Sequence, residues 1–214
     1  MQDDAARIER VAGALAEVGM DALVCALPAN VLLLSGYWPV VGTSVAVATR
    51  EGTIRVLAPE DEKELAARGY ADEARTFSPG SLTELIGASE AVRAPLRESL
   101  KSMGLGRGSV IGYESGECFE PASYASMHLY GSSINRMLAQ DFPFSAIVPA
   151  DDLLTRLRAA LTRAELDGVR AACRLAAEAF DTGARNKSSS PPSSQHSSAG
   201  GTSGSSRTRR SCAR

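Results

Sequence analysis

A chain of 214 residues, 44% hydrophobic and 22% charged, has the make-up of one ordinary globular domain with something added, or of a small pair. Its net charge of −2 is uneven: five of the 23 basic residues (Lys187, Arg207, Arg209, Arg210 and Arg214) lie beyond Asn186, where there is no acid, leaving 18 basic against 25 acidic residues in the body. An acidic body argues against nucleic acid as a partner, and the charged start MQDDAARIER lacks the apolar core of a secretory signal.

Residues 4–18 predict an amphipathic helix, because Ile8, Val11, Leu15 and Val18 share one face; Gly19 is placed to end it. Residues 22–49 contain no charge. A membrane span needs about 20 uninterrupted apolar residues. Here Pro28, Asn30, Ser35-Gly36, Pro39 and Gly42-Thr43-Ser44 cut the run into strand-sized and short-helix-sized pieces. The reading is therefore a buried strand at 22–26, a short helix at 31–34 with Asn30 as its N-cap and Gly36 as its stop, and a strand at 44–48. Residues 53–57 form the next strand, joined to the previous one by a hairpin at Arg50-Glu51-Gly52.

Pro59 opens a helix with Glu60, Asp61 and Glu62 at its positive end and Arg68 and Gly69 at its close. A strand follows at 73–77. Ser81 is expected to cap a helix through Leu82, Leu85 and Ile86, interrupted near Gly87-Ala88-Ser89 and resumed through Leu96, Leu100 and Met103 to Gly104. Then come a strand at 109–114, a helix at 121–130, a stretch of no clear pattern at 131–140 and a short strand at 146–148. Asp151 is expected to cap a helix through Arg158. Thr162-Arg163-Ala164-Glu165 reads as a capping box, opening a helix with Leu166, Val169, Cys173, Ala176 and Phe180 on one face. Strands alternating with helices predict an α/β layered domain, its mixed, mostly central sheet flanked by helices, followed by a helical stub. From Asn186 the chain has no Leu, Ile, Val, Phe, Tyr or Trp, and a disordered tail is expected.

Residues that could carry chemistry are few. The cysteines, Cys25, Cys118, Cys173 and Cys212, have no metal or redox spacing, which fits a reducing compartment and a cytoplasmic protein. His128 and His196 stand alone, as structural or solvated histidines usually do. The acidic clusters Asp3-Asp4, Glu60-Asp61-Glu62 and Asp151-Asp152 all fall at helix starts, where the helix dipole explains them without a metal. Gly104-Leu105-Gly106-Arg107-Gly108 follows a helix and precedes a strand, the reverse of a dinucleotide fingerprint, and reads as a helix end and turn. Gly36-Tyr37-Trp38-Pro39 holds the only tryptophan. It is either a packing anchor or a surface that faces a ligand or another domain. The basic tail from Arg207 to Arg210 reads as a solvated disordered end, the alternative being a contact to nucleic acid or a membrane surface.

Taken together, the N-terminal helix, GMDALVCALPANVLLLSGYW, the hairpin SVAVATREGTIRVLAPE, GSVIGYE and DDLLTRLRAALTRAELDGVRAACRLAAEAF resemble the creatinase/prolidase N-terminal domain, over about residues 5–182. The last segment resembles the first helix of the pita-bread catalytic domain that follows it in Xaa-Pro aminopeptidases, Xaa-Pro dipeptidases and creatinase. Arg158, Thr162 and Glu165 match the family's pattern there, and Leu161 stands where a lysine is usual.

The resemblance implies a parent activity of Xaa-Pro peptide hydrolysis or a related C–N hydrolysis. Two divalent ions (Mn, Co or Zn), held by two Asp, one His and two Glu, would activate water. All those ligands lie downstream of the segment matched here, so no catalytic and no metal-binding residue is carried over, and the chain alone is expected to be inactive. In that family the N-terminal domain packs against a neighbouring subunit and helps wall the substrate pocket, and the resemblance places the wall here in the loop Tyr37–Gly42, at Tyr37, Trp38 and Pro39. The expected division is a family-like domain at 1–150, a linker helix and catalytic stub at 151–183, and a tail at 184–214. Ser, Pro, Gly and Arg are common when GC-rich DNA is read out of frame, so the change at Asn186 points to a truncated or frameshifted product. Expected partners are a second copy or a full-length homologue, with neither nucleic acid nor membrane. The alternatives are a non-catalytic interaction module and a small nucleotide-binding domain, the latter lacking a phosphate loop in the right context.

Overall fold

The computed structural model describes residues 2–40, 43–80, 83, 86–115 and 132–188. The expected helices at 82–86 and 121–130, together with Cys118, His128, His196 and Cys212, lie wholly or mainly outside these residues. So does the tail beyond residue 188.

Six strands form one mixed sheet in the order β4-β3-β2-β1-β5-β6. They are β1 (Ala22–Cys25), β2 (Val45–Thr49), β3 (Ile54–Pro59), β4 (Glu73–Phe77), β5 (Val110–Tyr113) and β6 (Ala146–Pro149). β2 runs antiparallel to both its neighbours, whereas the pairs β3–β4, β1–β5 and β5–β6 are parallel. The β2–β3 hairpin is expected from its composition, and Gly52 there takes a φ of +87°, which glycine adopts without steric cost.

Side chains alternate between two cores, as a pleated strand requires. Leu23, Cys25, Ala46, Ala48, Ile54 and Val56 face one of them. Against these pack α1 (Gln2–Glu17), α2 (Pro28–Ser35), α3 (Lys63–Ala66) and α6 (Asp151–Ala159), through Val11, Leu15, Leu34, Ala66 and Leu154. Val24, Val45, Val47 and Ile111 face the other, against α4 (Ala88–Ser102) and α5 (Ser132–Asp141), through Leu96, Leu100, Ile134 and Leu138. Strands covered on both faces read as continuous apolar runs. That is the physical reason why residues 22–49 resemble a span, although no helix among the described residues is long and apolar enough to cross a membrane.

Several local expectations are corrected. The N-cap of α2 is Leu27, with Pro28 in the first turn, and Asn30 lies inside the helix with its side chain turned to Glu114. The helix expected from Pro59 to Arg68 is a 3-10 turn, Glu60–Glu62, followed by the four residues of α3. The stretch without a pattern at 131–140 forms most of α5, which runs from Ser132 to Asp141. The N-cap of α6 is Ala150, and the Asp151 carboxylate instead accepts from the Ser115 N–H at 3.2 Å. The capping box is present: the Thr162 N–H donates to Glu165 Oε2 at 2.6 Å, and the Glu165 N–H to Thr162 Oγ1 at 3.3 Å. It opens α7 (Arg163–Ser188), which continues past the composition change at Asn186.

The chain divides into two units, 1–168 and 169–214. The first holds the sheet and α1 to α6. The described part of the second is the helical stretch 169–188, on which Val169, Leu175 and Phe180 are exposed.

Candidate functional site

The loop after α2 begins where the helix is stopped by backbone geometry. Gly36 has a φ of +72°, and its N–H donates to the Leu32 carbonyl at 2.8 Å. A Cβ on Gly36 would come within 2.6 Å of the Tyr70 ring. Tyr70 holds the helix end from the other side: its N–H donates to the Ser35 carbonyl at 2.7 Å and its hydroxyl to the Leu33 carbonyl at 2.6 Å.

From Gly36 the side chains alternate. Tyr37 and Pro39 are buried, while Trp38 is 51% and Val40 68% exposed. The Tyr37 hydroxyl donates to Glu62 Oε2 at 2.7 Å and lies 3.2 Å from Ser44 Oγ. The Val40 N–H donates to the same Glu62 oxygen at 2.7 Å. Burial, with the Glu62 carboxylate also pressing upward against the Ser44 hydrogen bond, raises the Tyr37 phenol above its ordinary range, so it keeps its proton and remains a donor. Of the three residues expected to wall a pocket, Tyr37 and Pro39 lie inward as anchors and Trp38 is the one presented. The packing anchor of this loop is the tyrosine.

A second buried carboxylate, Glu114, lies just past β5. Because β1 and β5 run parallel, their C-terminal ends meet and bring Glu114 to the start of α2. Its Oε1 accepts from the Ala26 N–H at 2.5 Å and the Leu27 N–H at 2.6 Å, and its Oε2 from Asn30 Nδ2 at 2.6 Å. Burial drives its pKa up to about 7, and the donors from Asn30, Ala26 and Leu27 oppose that rise. Burial likewise pushes up the Cys25 thiol, and the neighbouring Glu114 adds to it, which makes Cys25 an inert core residue. Arg158 faces the same group; burial lowers its pKa, and Cys25 and Glu114 oppose this.

An open cleft of about 430 Å³ lies at the C-terminal ends of β5 and β6, lined by Met20, Tyr113, Ser115, Asp152 and Arg156 among others. Crevices at this end of parallel strands are where α/β sheets commonly take ligands. Among the described residues no three His, Cys, Asp or Glu side chains come together in a way that could hold a metal ion. The donor set for a metal pair is therefore not found among them. The glycine-rich turn at 104–108 directs its N–H groups inward: Gly106 to Ser109 Oγ at 3.0 Å and Gly108 to the Phe144 carbonyl at 2.8 Å. It is the helix end and turn that its context predicts.

Neither Glu62 nor Glu114 stands out in the sequence. Glu62 is the third of three acids at a helix start, yet Glu60 and Asp61 are exposed and Glu62 is buried. The dipole account is incomplete for it. Glu114 ends GSVIGYE, a string that carries the family resemblance, but its partners lie 84 to 88 residues away.

A six-stranded mixed sheet covered by helices on both faces, with a buried carboxylate tying β5 to the first short helix, defines an α/β domain of the creatinase N-terminal type. The chain belongs to the family described as Creatinase/Prolidase N-terminal domain, which it matches over residues 7–160. Among solved structures, the Xaa-Pro dipeptidase from Bacillus anthracis aligns with a TM-score of 0.57 and 15% identity, over 84% of this chain and 42% of its own. The dipeptidase from Pyrococcus horikoshii OT3 gives 0.55 and 20%, over 82% and 43%. The prolidase from the same organism gives 0.52 and 18%, over 81% and 41%. At these identities the likeness is one of fold, and the chain spans about two fifths of the length of these structures. No curated protein sequence matches.

Proposed function

We propose that this chain is the dimerising, pocket-walling domain of an Xaa-Pro peptidase-type protein and that the 214-residue polypeptide has no hydrolase activity of its own. The observation that carries the proposal is the family match, which covers an N-terminal domain, 7–160, and not a catalytic one. The similar structures are a prolidase and an Xaa-Pro dipeptidase, which suggests the substrate class, and their greater length is consistent with chemistry performed downstream. Within the chain, the wall is the loop of Tyr37, Trp38 and Pro39. Tyr37 and Pro39 seat it, and Trp38 and Val40 offer apolar surface to a substrate or a neighbouring subunit.

The same reading takes residues 1–150 as the domain, 151–183 as a linker helix and the first catalytic helix, and 184–214 as a tail. The composition change at Asn186 supports a truncated or frameshifted reading frame, which the downstream coding sequence tests. The cytoplasm, a homo-oligomer and pairing with a full-length homologue belong to the same proposal. Two divalent ions would then be held by the longer relative.

Sedimentation of the purified chain tests the pairing. The proposal expects a species of twice 22.4 kDa that Trp38→Ala shifts toward monomer. A monomer at every concentration, both alone and mixed with a full-length prolidase, contradicts it. A second reading, a module that pairs without any peptide site, would show the dimer but no effect of Xaa-Pro peptides on Trp38 fluorescence.

A further inference from the structure

We propose that Glu62 is a positioning residue that holds the Trp38 loop in one conformation, so that the exposed face of Trp38 and Val40 is formed before anything binds to it. The proposal builds on the reading of this loop as a contact surface, but the hold itself is a separate claim with a separate test.

The geometry is a clamp. One carboxylate oxygen, Glu62 Oε2, takes the Tyr37 hydroxyl and the Val40 N–H, both at 2.7 Å. These two donors bracket Trp38 and Pro39. The loop is thus fastened on each side of its exposed tryptophan by one atom that lies more than twenty residues further along the chain. Glu62 is 1% exposed and Tyr37 2%, so the bond between them is shielded from bulk water, while the Val40 N–H bond is partly buried. Ser44 adds a contact to the same hydroxyl, and the Tyr37 N–H donates to Ser35 Oγ at 3.2 Å, tying the loop back to α2.

A carboxylate is an expensive group to bury unless hydrogen bonds satisfy it. Glu60 and Asp61 stay at the surface, and of the three acids of this short turn only Glu62 is turned inward. Turning the third acid inward adds little to the helix. It provides the acceptor that the phenol and the amide require, which no aliphatic side chain of similar size could supply. Rigid surfaces bind with less loss of conformational entropy than loops ordered on binding, and this is the advantage the clamp confers.

Trp38 is the only tryptophan, so its fluorescence reports this loop alone. The experiment compares acrylamide quenching and fast anisotropy decay of Trp38 in the full chain and in Glu62→Leu, Glu62→Gln and Tyr37→Phe. Ile134→Val, which opens a small cavity in the core on the opposite face of the sheet, controls for general loss of stability. Far-UV circular dichroism verifies folding. Glu62→Leu is expected to raise the amplitude of fast Trp38 motion and the quenching constant about twofold. Tyr37→Phe should give a smaller rise in the same direction. Glu62→Gln keeps an acceptor and should stay close to the parent, and Ile134→Val should leave Trp38 unchanged. The proposal is overturned if Trp38 is as immobile in Glu62→Leu as in the parent, or if Ile134→Val mobilises it equally. Should Glu62→Leu fail to fold, Tyr37→Phe decides: no change in Trp38 motion overturns the clamp. If the contact-surface reading is wrong, Trp38→Ala leaves pairing unchanged and Xaa-Pro peptides leave Trp38 fluorescence unchanged, while the differences among these variants persist.

Discussion

Glu114 is a carboxyl group whose surroundings pull its proton in opposite directions. Burial favours the neutral form, while hydrogen bonds from Asn30, Ala26 and Leu27 favour the charged one, and burial wins, with a pKa of about 7. The folded protein therefore holds a proton that the unfolded chain has already released above its ordinary value of 4.5. Stability from this group is complete below about pH 4.5 and falls as pH rises to about 7, by up to about 3 kcal/mol, then levels. Urea unfolding at a series of pH values checks this. Glu114→Gln, less stable throughout for want of a matching acceptor pattern, should lack that slope between pH 5 and 7. At this scale the sequence was least informative. Trp38 was legible as a feature of an uncharged loop, but its exposure was not, nor were the buried carboxylates Glu62, which fastens that loop, and Glu114, which ties β5 to α2. Their burial depends on partners brought together by the sheet, and charge alone places an acid on the surface.

Local geometry decides which glycines matter. Gly36 combines a positive φ with the Tyr70 ring where a Cβ would stand. Gly36→Ala should cost about 1–3 kcal/mol, read as a lower denaturant midpoint. Gly13 lies in the interior of α1 and is exposed, with nothing within 4 Å of a Cβ. Gly13→Ala should raise stability by about 0.5–1 kcal/mol through helix propensity. Thr162→Ala removes half of the capping box and should cost about 1 kcal/mol, with reduced helicity by circular dichroism. Glycine stops, apolar periodicity and the capping box were legible because each is a local rule. Asn30 as a cap and Asp151 as a cap were misread because both side chains found distant partners, Glu114 and the Ser115 N–H. α5 was missed because its apolar face, Ile134, Met137 and Leu138, is short and is preceded by Gly131-Ser132-Ser133, which reads as a turn.

At the scale of the whole molecule, the strand and helix order already implied a mixed α/β sheet. The unbroken apolar character of residues 22–26 and 44–48 reflects β1 and β2 at the centre of that sheet, with α1, α2 and α6 on one face and α4 and α5 on the other. Family membership follows from the match over residues 7–160, and the division of labour between this domain and any catalytic one is the proposal. The central claim is that these 214 residues supply a preformed apolar wall and not the chemistry. The most direct measurement is hydrolysis of an Xaa-Pro dipeptide by the purified chain supplied with manganese, cobalt or zinc. The account predicts no turnover above the metal-only control at any protein concentration. Turnover proportional to protein and abolished by a chelator would contradict it.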